Sequence, residues 1–278
     1  MIRRPISRAT RIALGILSVM VVIAGYSWLS YQRHQINPKD TTIPNAKQFA
    51  DGWRSLTTKQ LSPPQNFRER LHQLFFESWL AEDMRATYGR LFAGLAVGSL
   101  LSLVVGMAMG CLSPVEAFCA PPLSFFAKIP PTAMMAVYFV LFGTEMRLYV
   151  AMIALGIFPI LAQAIYQSAK KDVTDHAIYK AYTLGASHVE VVWNVMFRQV
   201  LPRIIESIRL QIGPAMIFLI AAEYLVGDVG FGYRLKIQSR ILHMNVVYIY
   251  LVVLGMTGLM LDWLLSTLRR KSCPWFGD

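Results

Sequence analysis

Long segments without charged residues recur along the chain and indicate its architecture. A helix needs about 20 predominantly apolar residues to cross the hydrocarbon core of a bilayer. Residues 12–32 and 91–115 contain no Lys, Arg, Asp or Glu, and four later segments are comparably apolar. The later segments are residues 122–142, 148–168, 210–226 and 241–268. The pattern predicts an all-α polytopic membrane bundle with six transmembrane helices.

The composition supports a membrane protein and excludes several other classes. Hydrophobic residues make up 55% of the 278 residues and charged residues 15%, whereas soluble domains carry about 25% charged residues. Disordered, fibrous and disulfide-stabilised secreted proteins are excluded, and an ordinary soluble enzyme is disfavoured. The net charge of +11 fits a cytoplasmic excess of bases, and no nucleic-acid binding is expected because no basic stripe with interleaved aromatic residues occurs. No metal site is expected, because the sequence has no HExxH or CxxC motif.

Basic residues at the two ends predict the orientation. Four arginines precede residues 12–32, and Arg269, Arg270 and Lys271 follow the last apolar segment. Cytoplasmic flanks of membrane helices are rich in Lys and Arg, so both termini are expected in the cytoplasm. A cleaved signal peptide is the alternative for the first segment, but the run is too long and lacks a small-x-small site. The last connection is an exception, with three bases on its outer side: Arg234, Lys236 and Arg240.

The predicted spans divide the chain into four parts. Residues 1–32 form a cytoplasmic N-terminus and the first transmembrane helix, and residues 33–85 form an extracytoplasmic segment. Residues 86–270 form the core, with a cytoplasmic connection at 170–209, and residues 271–278 form a cytoplasmic tail. An amphipathic stretch in the extracytoplasmic segment either lies along the membrane surface or packs on the bundle. Its apolar residues are Phe67, Leu71, Leu74, Phe75 and Trp79.

The connection at residues 170–209 is too long to be a turn in a compact bundle. A short helix is expected to end at Gly185, because glycine takes the left-handed conformation of a helix C-cap without steric cost. A second amphipathic helix is expected to carry the apolar residues Val189, Val192, Trp193, Met196 and Phe197. Leu201-Pro202 is expected to begin the next element. Two short helices bent around a glycine predict a rigid knob that docks a partner, and a linker lying on the surface is the alternative.

The residues around Gly185 also follow the spacing of a known motif. Ala181 precedes this glycine, Val195 follows it after nine residues, and Leu201-Pro202 lies further on. This resembles the EAA loop of bacterial ABC importer permeases, which reads Glu-Ala-Ala, three residues, Gly, nine residues and Ile-x-Leu-Pro. The departures from the motif are Tyr179 and Lys180 for Glu-Ala, Val195 for Ile, and Phe197-Arg198 for Leu-Pro.

Further segments are similar to the taurine, alkanesulfonate and nitrate branch of that permease family. Together with the loop, they extend the resemblance over about residues 85–276. The similar segments are residues 128–131, 138–143, 157–160, 218–223, 230–233 and 274–275.

The resemblance implies the transmembrane domain of a type I ABC importer in the bacterial inner membrane. A second copy of the permease would complete the pathway, two ATPase subunits would bind ATP and Mg, and an extracytoplasmic solute-binding protein would deliver a small solute such as a sulfonate, taurine or nitrate. The sequence has no GxxxxGK[ST] motif, so this lipid-embedded chain is expected to hold no cofactor and to hydrolyse no ATP. The resemblance places the ATPase-docking loop at Tyr179, Lys180, Ala181, Tyr182, Thr183, Leu184, Gly185, Ala186 and Ser187.

Several residues within the predicted spans are candidates for function. Glu223 is an acid deep in an apolar segment, where an unpaired charge costs at least about 2.5 kcal/mol. We expect it to have a partner and to hold the following glycine-rich loop to its own span, as a gate or structural residue; direct substrate contact is the alternative. Lys128 is expected to anchor a helix end, and Asp262 to pair with Arg269 or Arg270. Pro130-Pro131 is expected to be a helix start or a kink that faces the pathway. The pathway or gate candidates are Pro130, Pro131, Met134, Tyr138, Met216 and Glu223.

Small residues in the second predicted span have a structural interpretation. Gly94 and Gly98 form one GxxxG pair, and Gly106 and Gly110 form another. Such pairs allow two helix backbones to approach closely. Two other classes of function are also considered. An ion-gradient-driven transporter or channel is disfavoured because no internal repeat is found, and a membrane enzyme is disfavoured because no catalytic cluster is visible.

Overall fold

The computed structural model of the chain describes residues 7–38, 40–57 and 78–276. All regular structure in these residues is helical, which confirms the predicted all-α class. The N-terminal part contains α1 (Arg8–Ile36), α2 (Ala46–Thr57), α3 (Trp79–Cys111), α4 (Ser113–Phe126), α5 (Met135–Phe142) and α6 (Met146–Asp172). The C-terminal part contains α7 (Asp175–Thr183), α8 (His188–Glu190), a π-helical segment (Val191–Phe197), α9 (Arg198–Val226), α10 (Phe231–Arg240) and α11 (Met244–Ser272).

Helices long and apolar enough to cross a membrane number five within the described residues, rather than the six predicted. They are Ala9–Ile36, Trp79–Cys111, Met146–Asp172, His188–Val226 and Met244–Ser272. The segment missing from this set is the predicted third span, residues 122–142. Helix α4 ends at Phe126 and α5 begins only at Met135.

Two adjacent prolines explain why the third span is not continuous. Neither Pro130 nor Pro131 can donate a backbone hydrogen bond, and a residue that precedes proline is disfavoured in the α conformation. The backbone between α4 and α5 instead forms short turns, such as Lys128 N–H to Phe125 O at 3.1 Å and Ala133 N–H to Pro130 O at 2.9 Å. The segment is therefore not one continuous helix, and the interruption lies at the Pro130-Pro131 pair.

The chain forms two compact units. The first contains the described residues up to Trp79 together with Ile237–Leu251. In it, the Tyr26 hydroxyl donates to the Pro44 carbonyl at 2.9 Å, while the apolar side chains nearer the start of α1 are exposed. The predicted amphipathic stretch is centred on residues 67–75, which lie outside the described residues.

The second unit contains Leu80–Lys236 and the described residues from Val252 onward. Within it, α3 and α6 pack against each other through the glycines of α3. A Cβ atom at Gly94 would lie 2.6 Å from Ile153, and one at Gly106 would lie 2.7 Å from the Ala162 carbonyl oxygen. Both distances are too short for a side chain, so the backbones approach closely at each GxxxG pair, as predicted.

Helix α6 is the centre of the second unit. Its residues Ile153, Ile157, Leu161 and Ile165 are fully buried. The half of α6 that contains Ile153 and Ile157 packs with α5, α9 and Leu261. The other half packs with the π-helical segment and the start of α9. This central helix therefore positions both the break between α4 and α5 and the connection that contains Gly185.

Candidate functional site

The turn at Gly185 has the backbone geometry that the sequence predicts. Gly185 has a φ of +86°, and its N–H donates to the Tyr182 carbonyl at 3.0 Å. The Ala186 N–H donates to the Ala181 carbonyl at 3.1 Å. This pair of hydrogen bonds is a Schellman motif, which ends α7 at a residue in the left-handed conformation. The predicted C-cap is confirmed.

A second cap follows directly and starts the next helical turn. The Ser187 hydroxyl accepts a hydrogen bond from the Glu190 N–H at 3.4 Å, and the Glu190 carboxylate accepts one from the Ser187 N–H at 2.8 Å. This reciprocal pair is a capping box. The Tyr182 hydroxyl lies 2.8 Å from His188 Nδ1 and joins the two sides of the bend. We call residues 175–190 the knob; its backbone is fixed at both helix ends.

The surface of the knob is exposed and partly apolar. No residue of α7 is buried, and Leu184 and Val189 are 79% and 77% exposed. Seven of the nine residues assigned to the docking loop are exposed, and Ala181 and Ala186 are half-buried. Local capping therefore gives the knob its shape without burying its apolar side chains.

The segment after the knob differs from the prediction in two respects. The second amphipathic helix is not separate, because residues from His188 through the π-helical segment continue into α9. Pro202 lies within α9 instead of starting an element. The π-helical segment ends at Phe197, so this proline lies in the second turn of the α-helix that follows. Trp193 and Phe197 stack with ring centroids 4.8 Å apart, and Trp193 remains exposed.

A buried cluster of charges surrounds Glu223 near the other end of α9. The Glu223 side chain is 0% exposed, and Arg90 Nη1 donates to its Oε1 at 2.8 Å. The Thr87 hydroxyl lies 3.0 Å from both carboxylate oxygens. The Gly232 N–H donates to Oε2 at 2.9 Å. The predictions that Glu223 has a partner and holds the following loop to its own helix are both confirmed.

The same loop is held from α3 by a second acid. Asp83 is fully buried and accepts hydrogen bonds from Arg234 Nε at 2.9 Å and from the Gly230 N–H at 3.0 Å. The Thr87 hydroxyl oxygen accepts a hydrogen bond from the Phe231 N–H at 2.9 Å. We call Asp83, Thr87, Arg90, Glu223 and Arg234 the ion-pair cluster. It ties α3, α9 and the start of α10 together.

The charges of the ion-pair cluster are paired with one another, which indicates that the cluster holds helices in position. Two buried acids face two arginines, and the exposed Asp228 carboxylate lies 3.8 Å from Arg90. The Arg90 guanidinium also donates to the Val229 carbonyl at 2.7 Å and lies 3.9 Å from the centre of the Tyr149 ring. Glu223 has no exposed surface with which to contact a solute. The geometry favours a structural or gate role over direct substrate contact.

Sequence analysis missed Arg90 as the partner of Glu223. Arg90 directly precedes the charge-free segment 91–115 and lies outside the segments from which the spans are predicted. A signal was nevertheless present, since Asp83, Thr87 and Arg90 are spaced at helical intervals on one face of α3. Polar residues repeated on one face of a membrane helix indicate a polar partner, although they do not identify which helix supplies it.

Four of the six pathway or gate candidates meet at one cavity. Its volume is 490 Å³, and it lies where α4, α5 and the middle of α6 meet. The four candidates are Pro130, Pro131, Met134 and Tyr138. Lys128 lines the same cavity, together with apolar residues of α6 that include Gly156 and Pro159. The break between α4 and α5 thus creates a recess at the position of the predicted third span.

Met216 lies in a different recess, and Glu223 lies in neither. The Met216 recess is an open groove of 1010 Å³ between α9 and α11, with Arg209 and Asp262 also lining it. Arg209 binds Asp262 through two hydrogen bonds, from Nε at 2.5 Å and from Nη2 at 2.9 Å.

The predicted pairing of Asp262 with Arg269 or Arg270 was therefore wrong. Arg269 contacts Glu206 instead, at 3.4 Å. The planar guanidinium of Arg209 reaches both carboxylate oxygens of Asp262 from the facing helix, which gives a stronger contact than a neighbour along the same helix.

A further polar contact joins the start of α4 to the end of α6. The Glu116 carboxylate accepts a hydrogen bond from Lys170 Nζ at 2.5 Å and another from the Tyr166 hydroxyl. These two hydrogen bonds, that from Lys170 first, hold the pKa of the Glu116 carboxyl below its usual range. The contact fixes α4 beside α6 at the end of these helices that lies next to the knob.

Comparison with known proteins identifies the family. Residues 98–272 match the family described as "Binding-protein-dependent transport system inner membrane component". The chain is 26% identical to the taurine transport system permease protein TauC of Escherichia coli, over 99% of this chain and 94% of that protein. It is 25% identical to the nitrate import permease protein NrtB of Synechocystis sp., over 66% of this chain and 70% of that protein.

Solved structures support the fold. An inward-facing structure of the MetNI methionine ABC transporter has a TM-score of 0.61 and 16% identity, and the alignment covers 71% of this chain and 97% of that chain. The match to the family extends over more than half of the sequence. The chain therefore belongs to the binding-protein-dependent transport system inner membrane components, the permease subunits of ABC importers.

Proposed function

We propose that two copies of this chain form the translocation pathway of an ATP-driven importer in the bacterial inner membrane. Two separate ATPase subunits bind ATP and Mg, and a solute-binding protein delivers the solute from outside. Both termini lie in the cytoplasm. The four arginines before the first span and the three bases after the last support this orientation.

The knob is the docking element for the ATPase in this proposal. Its support is the combination of a backbone fixed by two caps and a surface whose apolar residues are left exposed. Exposed apolar side chains on a rigid segment are typical of an interaction site. Because α6 and α9 flank the knob, a displacement of the knob is transmitted directly to two spanning helices. This is rigid-body coupling between a motor and a pathway.

The ion-pair cluster belongs to the gate at the opposite end of the same helices. The observation that supports this role is that the cluster joins α3, α9 and the 227–232 loop through buried contacts. A loop held in this way moves together with its helices. A displacement that starts at the knob therefore reaches the outer end of the pathway, because the loop is joined to its helices by fixed contacts and not by a flexible segment.

The solute is a small anion or zwitterion of the sulfonate, taurine or nitrate type. Support comes from the relatives, which include a taurine transport permease and a nitrate import permease. Members of one permease family share the mode of transport more closely than the solute. The solute-binding protein carries most of the choice among related solutes.

Reconstitution tests the proposed assembly. The chain is expressed with the proposed ATPase and solute-binding protein, purified by a tag on the ATPase and placed in liposomes. We expect the permease to co-purify and to support ATP-dependent uptake of labelled taurine or nitrate only when the binding protein is present. Uptake driven by an ion gradient without the ATPase would contradict the proposal.

A further inference from the structure

The break between α4 and α5 lies at the middle of the membrane-spanning length of α6. Pro131 packs over Gly156, since a Cβ there would lie 3.2 Å from the proline Cγ. Ser124, on the other side of the break, receives a hydrogen bond from Gln163 at 3.4 Å. Lys128 lies between these two contacts and shares the cavity with Pro159, which is the central residue of α6.

Its depth makes Lys128 unusual. Helix α6 extends about 20 Å to either side of Pro159 at a rise of roughly 1.5 Å per residue. The nearest membrane interface is about 15 Å from the bilayer centre, and the four-carbon stem of lysine is too short to reach it. A cation at this depth therefore faces either hydrocarbon, at high cost, or an aqueous pathway.

Lys128 has no electrostatic partner among the described residues. It is exposed, and it forms no ion pair or side-chain hydrogen bond with any described residue. Of the described residues that line the cavity, Lys128 alone carries a formal charge. This contrasts with Arg90, Arg209 and Arg234, each of which binds a carboxylate.

The remaining lining suits the apolar part of a small organic molecule. Leu123, Phe126, Ile129 and Met134 supply apolar walls, and Tyr138 lies among them. A mainly apolar recess with one charged group is the usual form of a site for a small ligand. The single charge is positive, so the complementary ligand carries a negative group next to a short apolar part.

We propose that Lys128 is a specificity-determining residue of the translocation pathway, which attracts the anionic group of the solute while the α4–α5 cavity accommodates its apolar part. This inference rests on the proposed function as an importer permease. It also assigns the α4–α5 break to the pathway instead of the lipid-facing surface. A lysine exposed to hydrocarbon at this depth would have no compensation for its charge.

Charged thiol reagents test this proposal without knowledge of the natural solute. Cys111, Cys119 and Cys273 are replaced by serine, and Val137→Cys is introduced at a half-exposed position that lines the cavity. The complete transporter in liposomes is treated with 2-sulfonatoethyl or 2-(trimethylammonium)ethyl methanethiosulfonate. Val140→Cys is the matched control, because Val140 lies on α5, is 82% exposed and does not line the cavity.

The ratio of the two modification rates is the readout. With Lys128 present, Val137→Cys should favour the sulfonate reagent more strongly than Val140→Cys does. Adding Lys128→Met should lower the ratio of anionic to cationic rates roughly tenfold, because a fixed charge concentrates counter-ions in a cleft. Lys128→Arg should retain the ratio, and the ratio at Val140→Cys should not change.

Two results would overturn the proposal. One is a Val137→Cys side chain that neither reagent modifies in the assembled transporter, because the cavity would then not be aqueous. The other is a ratio of anionic to cationic modification rates at Val137→Cys that is the same with Lys128 as with Lys128→Met. Co-purification with the ATPase is measured on the same samples. Failure to co-purify would count against the importer assignment, whereas the rate ratio tests Lys128 alone.

Discussion

Two glycine turns in the second unit have similar backbone requirements and opposite surroundings. Gly230 has a φ of +116°, and Gly185 has a φ of +86°. A Cβ at Gly230 would lie 2.6 Å from the Glu223 carboxylate, whereas one at Gly185 would have nothing within 4 Å. The first turn needs glycine for conformation and for space, and the second needs it for conformation alone.

The difference separates a turn that is complete within this chain from one that is not. Around Gly230, buried carboxylates and arginines satisfy the backbone and each other. Around Gly185, the caps satisfy the backbone but leave Leu184 and Val189 in the open. The enclosed turn can only hold helices together. The open turn has a fixed shape and an unused apolar surface, which is the arrangement expected of a docking site.

The largest predicted effect comes from replacing Arg90, which pairs with Glu223 beside the enclosed Gly230 turn. Arg90→Met leaves the Glu223 carboxylate buried without its cation, which should lower the free energy of unfolding by about 3–5 kcal/mol. The double variant Arg90→Met/Glu223→Gln removes both charges and should recover part of this loss. Thermal denaturation of the purified permease in detergent measures the three variants.

A double-mutant cycle checks the interpretation of these variants. Residues in direct contact should show a coupling energy of about 0.5–3 kcal/mol. The exposed and unpaired Lys128, changed to Met, is the matched control for loss of a cation and should change stability little. Additive losses for Arg90→Met and Glu223→Gln would mean that the 2.8 Å contact contributes no coupling.

Crowding around the enclosed turn gives the second prediction. A Cβ at Gly232 would lie 2.5 Å from the Ile220 carbonyl oxygen and 2.8 Å from the Tyr224 nitrogen. Gly232→Ala must therefore move backbone, and it should destabilise the permease by about 1–3 kcal/mol. Gly89→Ala is the control, since nothing lies within 4 Å of a Cβ there, and it should be neutral or slightly stabilising. Equal melting temperatures for the two variants would contradict the close packing.

Local signals explain which features the sequence predicts. The left-handed cap at Gly185 depends on neighbouring residues only, and the GxxxG pairs depend on the spacing within one helix. The partner of Glu223 is different, because Arg90 lies 133 residues away in the chain. Helix packing brings the two together, and a single sequence contains no direct signal of which helices become neighbours.

The third predicted span depends on a local signal as well. Residues 122–142 are apolar enough for a membrane helix, and the Pro130-Pro131 pair marks the point at which its hydrogen bonding is interrupted. Hydropathy does not give the length of the interruption, which affects the interpretation of Lys128. As a residue near the end of a continuous span it would reach the membrane surface. At the middle of a broken one it borders a cavity.

Strain at the open turn gives the third prediction. Gly185→Val places a β-branched residue in the left-handed region, which costs roughly 1–2 kcal/mol. The knob contributes no buried residue from α7, so the protein should remain folded and inserted in the membrane. ATPase binding should be lost, because the bend between α7 and the following helix would change. Gly185→Asn is the control, since asparagine tolerates this conformation. Normal transport by Gly185→Val would contradict the docking role.

The smallest predicted effect concerns a partly exposed ion pair, which sharpens the contrast with the enclosed one. Glu116 accepts hydrogen bonds from Lys170 and Tyr166, and these lower its pKa in the folded state. A lowered pKa contributes stability that is fully present above the unfolded-state value, about 4.3 for glutamate, and is lost as the pH falls through the folded-state value. Wild type should therefore melt above Glu116→Gln at pH 7, and the difference should shrink as the pH falls from 5 to 3.

The difference should also fall with added salt, because solvent ions screen an exposed pair far more than a buried one. The Arg90–Glu223 pair supplies the comparison, since the Glu223 side chain is 0% exposed and the Arg90 side chain only 10%. The melting difference between wild type and Arg90→Met should persist at 1 M salt, where the Debye length is about 3 Å. A salt-sensitive loss at Arg90, or a salt-insensitive one at Glu116, would contradict the description of the Arg90–Glu223 pair as buried and of the Glu116–Lys170 pair as partly exposed.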